Sequence, residues 1–158
     1  MSGDLRDLYQ EVILDHHRRP RNFRKVSNAN ASAEGLNPLC GDQLTVYLRR
    51  DGGRVADVGF EGLGCAICLA SASMMTERIK GRDTAEVEQL ADAFHEMLTG
   101  NREEHHKREG EAPGEPDLGK LKILAGVRQY PMRVKCATLA WHTLRAALRG
   151  QDEPVSTE

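Results

Sequence analysis

Residues 43–61, Gln-Leu-Thr-Val-Tyr-Leu-Arg-Arg-Asp-Gly-Gly-Arg-Val-Ala-Asp-Val-Gly-Phe-Glu, decide the fold. From Gln43 to Arg49 the side chains alternate: Leu44, Val46 and Leu48 point one way, Thr45, Tyr47 and Arg49 the other. That period of two is a half-buried strand. Asp51-Gly52-Gly53 is a strong turn signal, and Arg54–Glu61 returns as a second strand with Ala56, Val58 and Phe60 alternating. The stretch therefore predicts a β-hairpin, and the rest of the chain is read outward from it.

Downstream, Gly62-Leu63-Gly64-Cys65 leads into a helix over Ala66–Lys80. Its first turns are apolar on nearly every side, which predicts burial. Gly81 ends it. Asp83 with Glu86 reads as a capping box for a second helix, whose stripe is Val87, Leu90, Ala91, Phe94, Met97 and Leu98. Residues 101–119 carry almost no apolar side chains, an unusually long polar stretch for a compact domain and hence a candidate insertion. A short helix follows over Lys120–Arg128, stopped before Pro131, and a final helix over Cys136–Leu148. Upstream, residues 4–18 form an amphipathic helix capped by Asp4, with Leu5, Leu8, Tyr9, Val12 and Ile13 on one face. His16-His17-Arg18-Arg19 sit where the helix dipole favours cations, and Pro20 stops the helix. Residues 21–39 read as an extended surface connection, with a third strand conceivable in 24–36. The sum is an α+β fold: a small antiparallel β-sheet of about three strands with helices packed on one face. Residues 1–150 make a single domain and 151–158 a polar tail.

The chain has 158 residues, enough to bury a core without staples. Its 22 Lys plus Arg stand against 24 Asp plus Glu, a formal net charge of −2, which argues against a general nucleic-acid binder. No run of about 18 apolar residues exists to span a membrane. The opening Met-Ser-Gly-Asp-Leu-Arg lacks the apolar core of a signal peptide, so the expected location is cytoplasmic. Aromatics are only 4%, yet there are four cysteines. In a reducing compartment these are better read as metal ligands or reactive thiols than as disulfides.

Cys40 lies in a turn, Asn37-Pro38-Leu39-Cys40-Gly41-Asp42, just before the first hairpin strand. Cys65 and Cys136 are placed at predicted helix N-termini, where unpaired N–H groups favour thiolate, the metal-binding and nucleophilic form. Two ligand sets compete: all four cysteines, with Cys65 and Cys68 as a C-x-x-C pair, or Cys40, Cys65 and Cys136 with Asp42, leaving Cys68 as a small buried hydrophobe. The plainer alternative is four unrelated cysteines.

Four separated motifs resemble the IscU/NifU-type iron–sulfur assembly proteins. They are Leu8–His16 followed by Pro20-Arg21-Asn22-Phe23, then Asn37–Asp42, then Gly62–Met75 around Cys65, and the segment around Cys136. The resemblance runs from about Leu8 to Leu148. Within that superfamily the chain more closely resembles the SufU branch, the zinc-dependent sulfurtransferases. Lys135 stands before Cys136 where scaffold members have His, and residues 101–119 match a SufU insertion. The resemblance implies Zn2+ held by Cys40, Asp42, Cys65 and Cys136. It implies a SufS-type, pyridoxal-phosphate-dependent cysteine desulfurase as partner and downstream Suf scaffold components as recipients. It also implies that a His of the desulfurase displaces a thiolate, freeing Cys40 to attack the persulfide. Cys68 departs from the family, which has a small polar residue there. Arg133 is a candidate catalytic residue that pairs with Asp42 or steadies the leaving thiolate, and Lys135 a candidate to offset the negative ligand shell. His95 and His142 read as surface or structural groups. Alternatives are a scaffold that assembles a [2Fe–2S] cluster on the same residues and a structural zinc module.

Overall fold

The computed structural model describes residues 2–100, 117–151 and 153–156, with side chains described from Tyr9 onward. Helix α1 (Ser2–Arg18) leads through an irregular stretch to strands β1 (Ala31–Asn37), β2 (Asp42–Asp51) and β3 (Arg54–Leu63). Helices α2 (Ala66–Ile79) and α3 (Thr84–Thr99) follow, then a 3₁₀ helix (Gly119–Val127), helix α4 (Pro131–Arg149) and strand β4 (Val155–Ser156). Among the described residues no helix is long and apolar enough to cross a membrane. Most of the 101–119 stretch lies outside the described residues.

The hairpin forms as predicted. Gly52 and Gly53 both take positive φ, 59° and 80°, the paired left-handed geometry that a two-residue turn between right-twisted strands requires. Leu44, Val46 and Leu48 turn inward. A register shift at Arg49/Arg50 changes the inward set on β3: Val55, Val58 and Phe60 are fully buried, and Ala56 is not among them.

The third strand conceivable in 24–36 is β1, which pairs antiparallel with β2 from Ala31↔Leu48 to Asn37↔Asp42 and runs one residue beyond that range. Its inward residues are Ala33, Gly35 and Asn37, so it carries almost no hydrophobic signal. The reason is close packing, since a Cβ on Gly35 would strike Thr143 and Leu139 of α4. Val155 and Ser156, in the polar tail, pair parallel with β1 at Gly35 and Leu36. The sheet is therefore four-stranded and mixed, in order β3-β2-β1-β4.

The helices cover one face. Buried residues of α2 run almost unbroken from Cys68 to Thr76, as its apolar surround predicted. Phe94 of α3 stacks on Trp141 of α4, ring centroids 5.0 Å apart. Three helix ends need correction. The first helix begins at Ser2, so Asp4 is inside it and not its cap. Asp83 makes no side-chain cap bond, and Glu86 pairs with Arg82. The last helix begins at Pro131, which occupies its first turn where the missing N–H is harmless, so Pro131 starts the helix that contains Cys136.

His16, at the helix end where it was expected, is buried against α2. Its Nδ1 lies 2.7 Å from Ser73 Oγ, which also accepts from the Arg21 N–H, and its Nε2 faces Glu77 at 3.6 Å. Burial and then the Arg21 charge hold its pKa below the usual histidine value, against the opposing pull of Glu77 and Asp15, with Lys120 adding to the depression. The folded chain thus binds fewer protons at this site than the unfolded chain. The stabilisation is complete above the unfolded value of about 6.5 and is lost as pH falls below it. Denaturant midpoints should therefore fall between about pH 7.5 and about pH 5.5, and His16→Gln should flatten that fall. An unchanged slope in the variant would rule His16 out as its source.

Candidate metal centre

Three chain segments meet at one end of the sheet. The β1–β2 hairpin closes on the Asn37↔Asp42 pair, and residues 38–41 form its loop. Gly41 takes the positive φ, 70°, that lets so short a loop return, and the Cys40 N–H donates to Asn37 O at 3.2 Å. Cys40 is exposed at the tip. β3 ends beside Asp42 and delivers Cys65 as the N-cap of α2. From the other side α4 brings in Cys136, 2% exposed.

Asp42 is the centre of the arrangement, at 1% exposure. Its Oδ1 accepts from the Cys65 N–H at 3.0 Å and its Oδ2 from Asn37 Nδ2 at 3.3 Å. Among the described residues no Lys, Arg or His forms an ion pair with it. Cys136 Sγ accepts from the same Asn37 amide at 3.5 Å and lies 3.5 Å from Cys40 Sγ. The donor atoms of Cys40, Asp42 and Cys136 all fall within 4.8 Å of one another. Cys65 is outside that group of three.

The protons are divided unevenly between these thiols. The hydrogen bond from Cys136 lowers the Cys65 pKa, with further help from the Cys68 N–H across the first turn of α2. Cys136 is raised, by that same bond, by burial, and by its contacts with Asp42 and Cys40.

The donor set fits a zinc ion. A buried carboxylate without a cationic partner is costly unless a positive charge reaches it. Tetrahedral zinc with sulfur at about 2.3 Å sets neighbouring donors about 3.5–3.8 Å apart. The Cys40–Cys136 separation lies on that edge.

The remaining predicted residues are placed as follows. Cys68 is fully buried, and burial followed by the charge of Asp42 raises its pKa. Arg133 is exposed on the first turn of α4 with its guanidinium 4.8 Å above the Tyr130 ring. It does not pair with Asp42, whose oxygens are held by Asn37 and Cys65. Lys135 faces a cleft shared with His95, Arg128 and His142 on the far side of α4 from the thiols. Cys136 lies in the second turn of α4, so its properties come from its neighbours and not from a helix N-terminus. Sequence reasoning missed Asn37, the amide that holds both Asp42 and Cys136. An Asn five residues before an Asp across a Pro/Gly-flanked turn was the available signal.

The pattern of the NifU-like N terminal domain matches residues 8–137. The zinc-dependent sulfurtransferase SufU of Bacillus subtilis is 38% identical over 151 residues, covering 96% of each chain. The iron–sulfur cluster assembly scaffold protein IscU of Streptococcus pyogenes is 37% identical, covering 92% of this chain and 85% of that protein. A solved structure from Fervidobacterium islandicum, described as a SUF-system scaffold (FiSufU), superposes with a TM-score of 0.75 at 37% identity, covering 87% and 94%.

Asn37→Ala removes the donor shared by Asp42 and Cys136 and leaves the ligands themselves in place. Zinc affinity measured against a chromogenic chelator should fall about 10- to 100-fold. Affinity equal to the parent would show that Asn37 does not orient the ligands.

Proposed function

The chain belongs to the NifU-like N-terminal domain family, and on that premise we propose that it is a zinc-dependent sulfur-transfer protein. It accepts persulfide sulfur from a SufS-type, pyridoxal-phosphate-dependent cysteine desulfurase and passes it to downstream Suf scaffold components for iron–sulfur cluster assembly in the cytoplasm. One observation carries this reading: an exposed thiol, Cys40, stands on a short loop directly against a buried thiol and a buried carboxylate. The name and coverage of the Bacillus relative support it.

Cys40, Asp42, Cys65 and Cys136 are the residues that would hold Zn2+. When bound, the ion keeps the thiols deprotonated and damps their reactivity. Of the three thiols, Cys40 alone sits on a hairpin loop, tied by one backbone bond to Asn37, while Cys136 is buried and held by the Asn37 amide. Asp42 and Cys136 stay fixed when Cys40 moves. The Cys40 thiolate attacks the outer sulfur of the partner's persulfide. A new S–S bond forms as the old one breaks, the electron pair leaves on the partner's cysteine sulfur, and Cys40 carries the persulfide. Arg133, stacked on Tyr130 one helical turn before Cys136, supplies positive charge to the thiolate that departs.

A second reading, cluster scaffold with the same residues holding [2Fe–2S], is favoured by the name of the Streptococcus relative. Intact-mass measurement after incubation with a cysteine desulfurase and cysteine separates the two. Zinc retained with one added sulfur, mapped to Cys40 and absent in Cys40→Ser, is the expected result. A coloured, iron-containing product without added sulfur overturns it in favour of the scaffold. Arg133→Ala should slow sulfur loading about 10-fold or more at unchanged zinc content, with Arg133→Lys partly restoring it. Equal loading rates would remove Arg133 from the mechanism.

A further inference from the structure

The C-x-x-C pair, Cys65-Ala66-Ile67-Cys68, is only half used by the metal centre. Cys65 is exposed at the N-cap of α2, while Cys68, three residues on in the same first turn, is fully buried. The Cys65 sulfur is folded back over that turn, accepting from the Cys68 N–H at 3.4 Å. Residues three apart at a helix start are surface neighbours, within the range of Cα separations that a disulfide spans. Gly64 leaves the Cys68 sulfur facing the site. A Cβ added there would lie 3.1 Å from Cys68 Sγ and 2.9 Å from Asp42 Oδ1. So the one cysteine outside the ligand set points at the ligands, behind the exposed thiol of Cys65.

We propose that Cys65 and Cys68 form a peroxide-responsive dithiol, in which a hydroperoxide oxidises Cys65 and Cys68 resolves it as a reversible disulfide. The inference does not depend on sulfur transfer. Cys65 thiolate attacks one oxygen of the hydroperoxide; an S–O bond forms, the O–O bond breaks, and the departing oxyanion takes a proton. The resulting sulfenic acid is attacked by the Cys68 sulfur. The S–S bond forms, the S–O bond breaks, and the Cys68 proton leaves with hydroxide as water. Two electrons have passed from two sulfurs to one peroxide, and two equivalents of a small thiol restore the dithiol. The cross-link intercepts Cys65 before it reaches the irreversible sulfinic state. It also removes Cys65 from the ligand set, so metal retention follows the oxidation state.

Cys68 is a better resolving group than its competitors. Cys136 sits on a different helix under Asn37 and shares its sulfur with Cys40. Cys68 keeps its place beside Cys65 whatever the Cys40 loop does, because one helical turn carries both.

The test uses the purified full chain with its bound zinc. It is treated with equimolar hydrogen peroxide, its free thiols are blocked under denaturing conditions, and the cross-links are mapped by peptide mass. The expected product is Cys65–Cys68, reversed by dithiothreitol, with zinc appearing on a chromogenic chelator upon oxidation and recaptured upon reduction. A predominant Cys65–Cys136 or Cys40–Cys65 link, or Cys65 sulfinic acid without any cross-link, overturns the proposal. In Cys68→Ala, checked by circular dichroism, peroxide should drive Cys65 to sulfinic acid. Recovery of zinc binding by dithiothreitol should then fall about tenfold below the parent. Recovery equal to the parent overturns the proposal, and if that variant does not fold, the parent's cross-link map decides alone.

Discussion

The arrangement of this protein's working end follows from one buried carboxylate. Asp42 begins the central strand of the hairpin core yet is almost inaccessible to water. An ionised carboxylate in that position needs donors on both oxygens and a positive charge within reach. The backbone of Cys65 and the amide of Asn37 supply the donors, so the end of β3 and the end of β1 are both tied to it. The described side chains supply no cationic partner, and two sulfurs lie where a small divalent ion would complete the shell. Removing the carboxylate would therefore loosen three strand ends together.

That dependence explains why the residues come from such distant parts of the chain. β1 and β2 meet at Asn37 and Asp42 because their register is fixed along the whole pair. Cys65 is placed because β3 runs antiparallel to β2 and ends directly beside Asp42. Cys136 is placed because α4 packs across β1 and β2. It comes close enough to do so only because β1 turns Ala33 and Gly35 toward it. Small residues on one strand thus set the depth of a helix, and the helix sets the depth of a thiol.

The same packing explains what could and could not be read from sequence. The hairpin, the buried α2 and the apolar stripe of α3 were legible because each carries a strong hydrophobic period. β1 could be placed only loosely, within 24–36, since a strand whose inward face is Ala, Gly and Asn has no period to detect. The start of α4 was misplaced because Pro131 is compatible with both a stop and a first turn, and only tertiary packing chooses. Val155 and Ser156 join the sheet by edge pairing with β1, which needs backbone and little side-chain signal. In the site, Cys40, Asp42 and Cys136 were marked by residue type. Asn37 was not, because an amide that positions a ligand looks like any turn asparagine until its partners are known.

Burial then divides chemically similar thiols into different tasks. Cys136 is enclosed and held by an amide, so it can anchor but cannot swing out to meet a second protein. Cys65 is exposed, but its sulfur caps α2 and is bonded across the first turn, so moving it frays a helix that fills the core. Cys40 costs least to displace, because its loop carries few backbone bonds and returns through a glycine. A centre built this way could keep its carboxylate and its buried sulfur in place if the Cys40 thiolate were to leave and return. Acceptor chemistry on Cys40 is therefore compatible with a site that stays assembled, and the same reaction at Cys136 would require the helix, the amide and the carboxylate to move together.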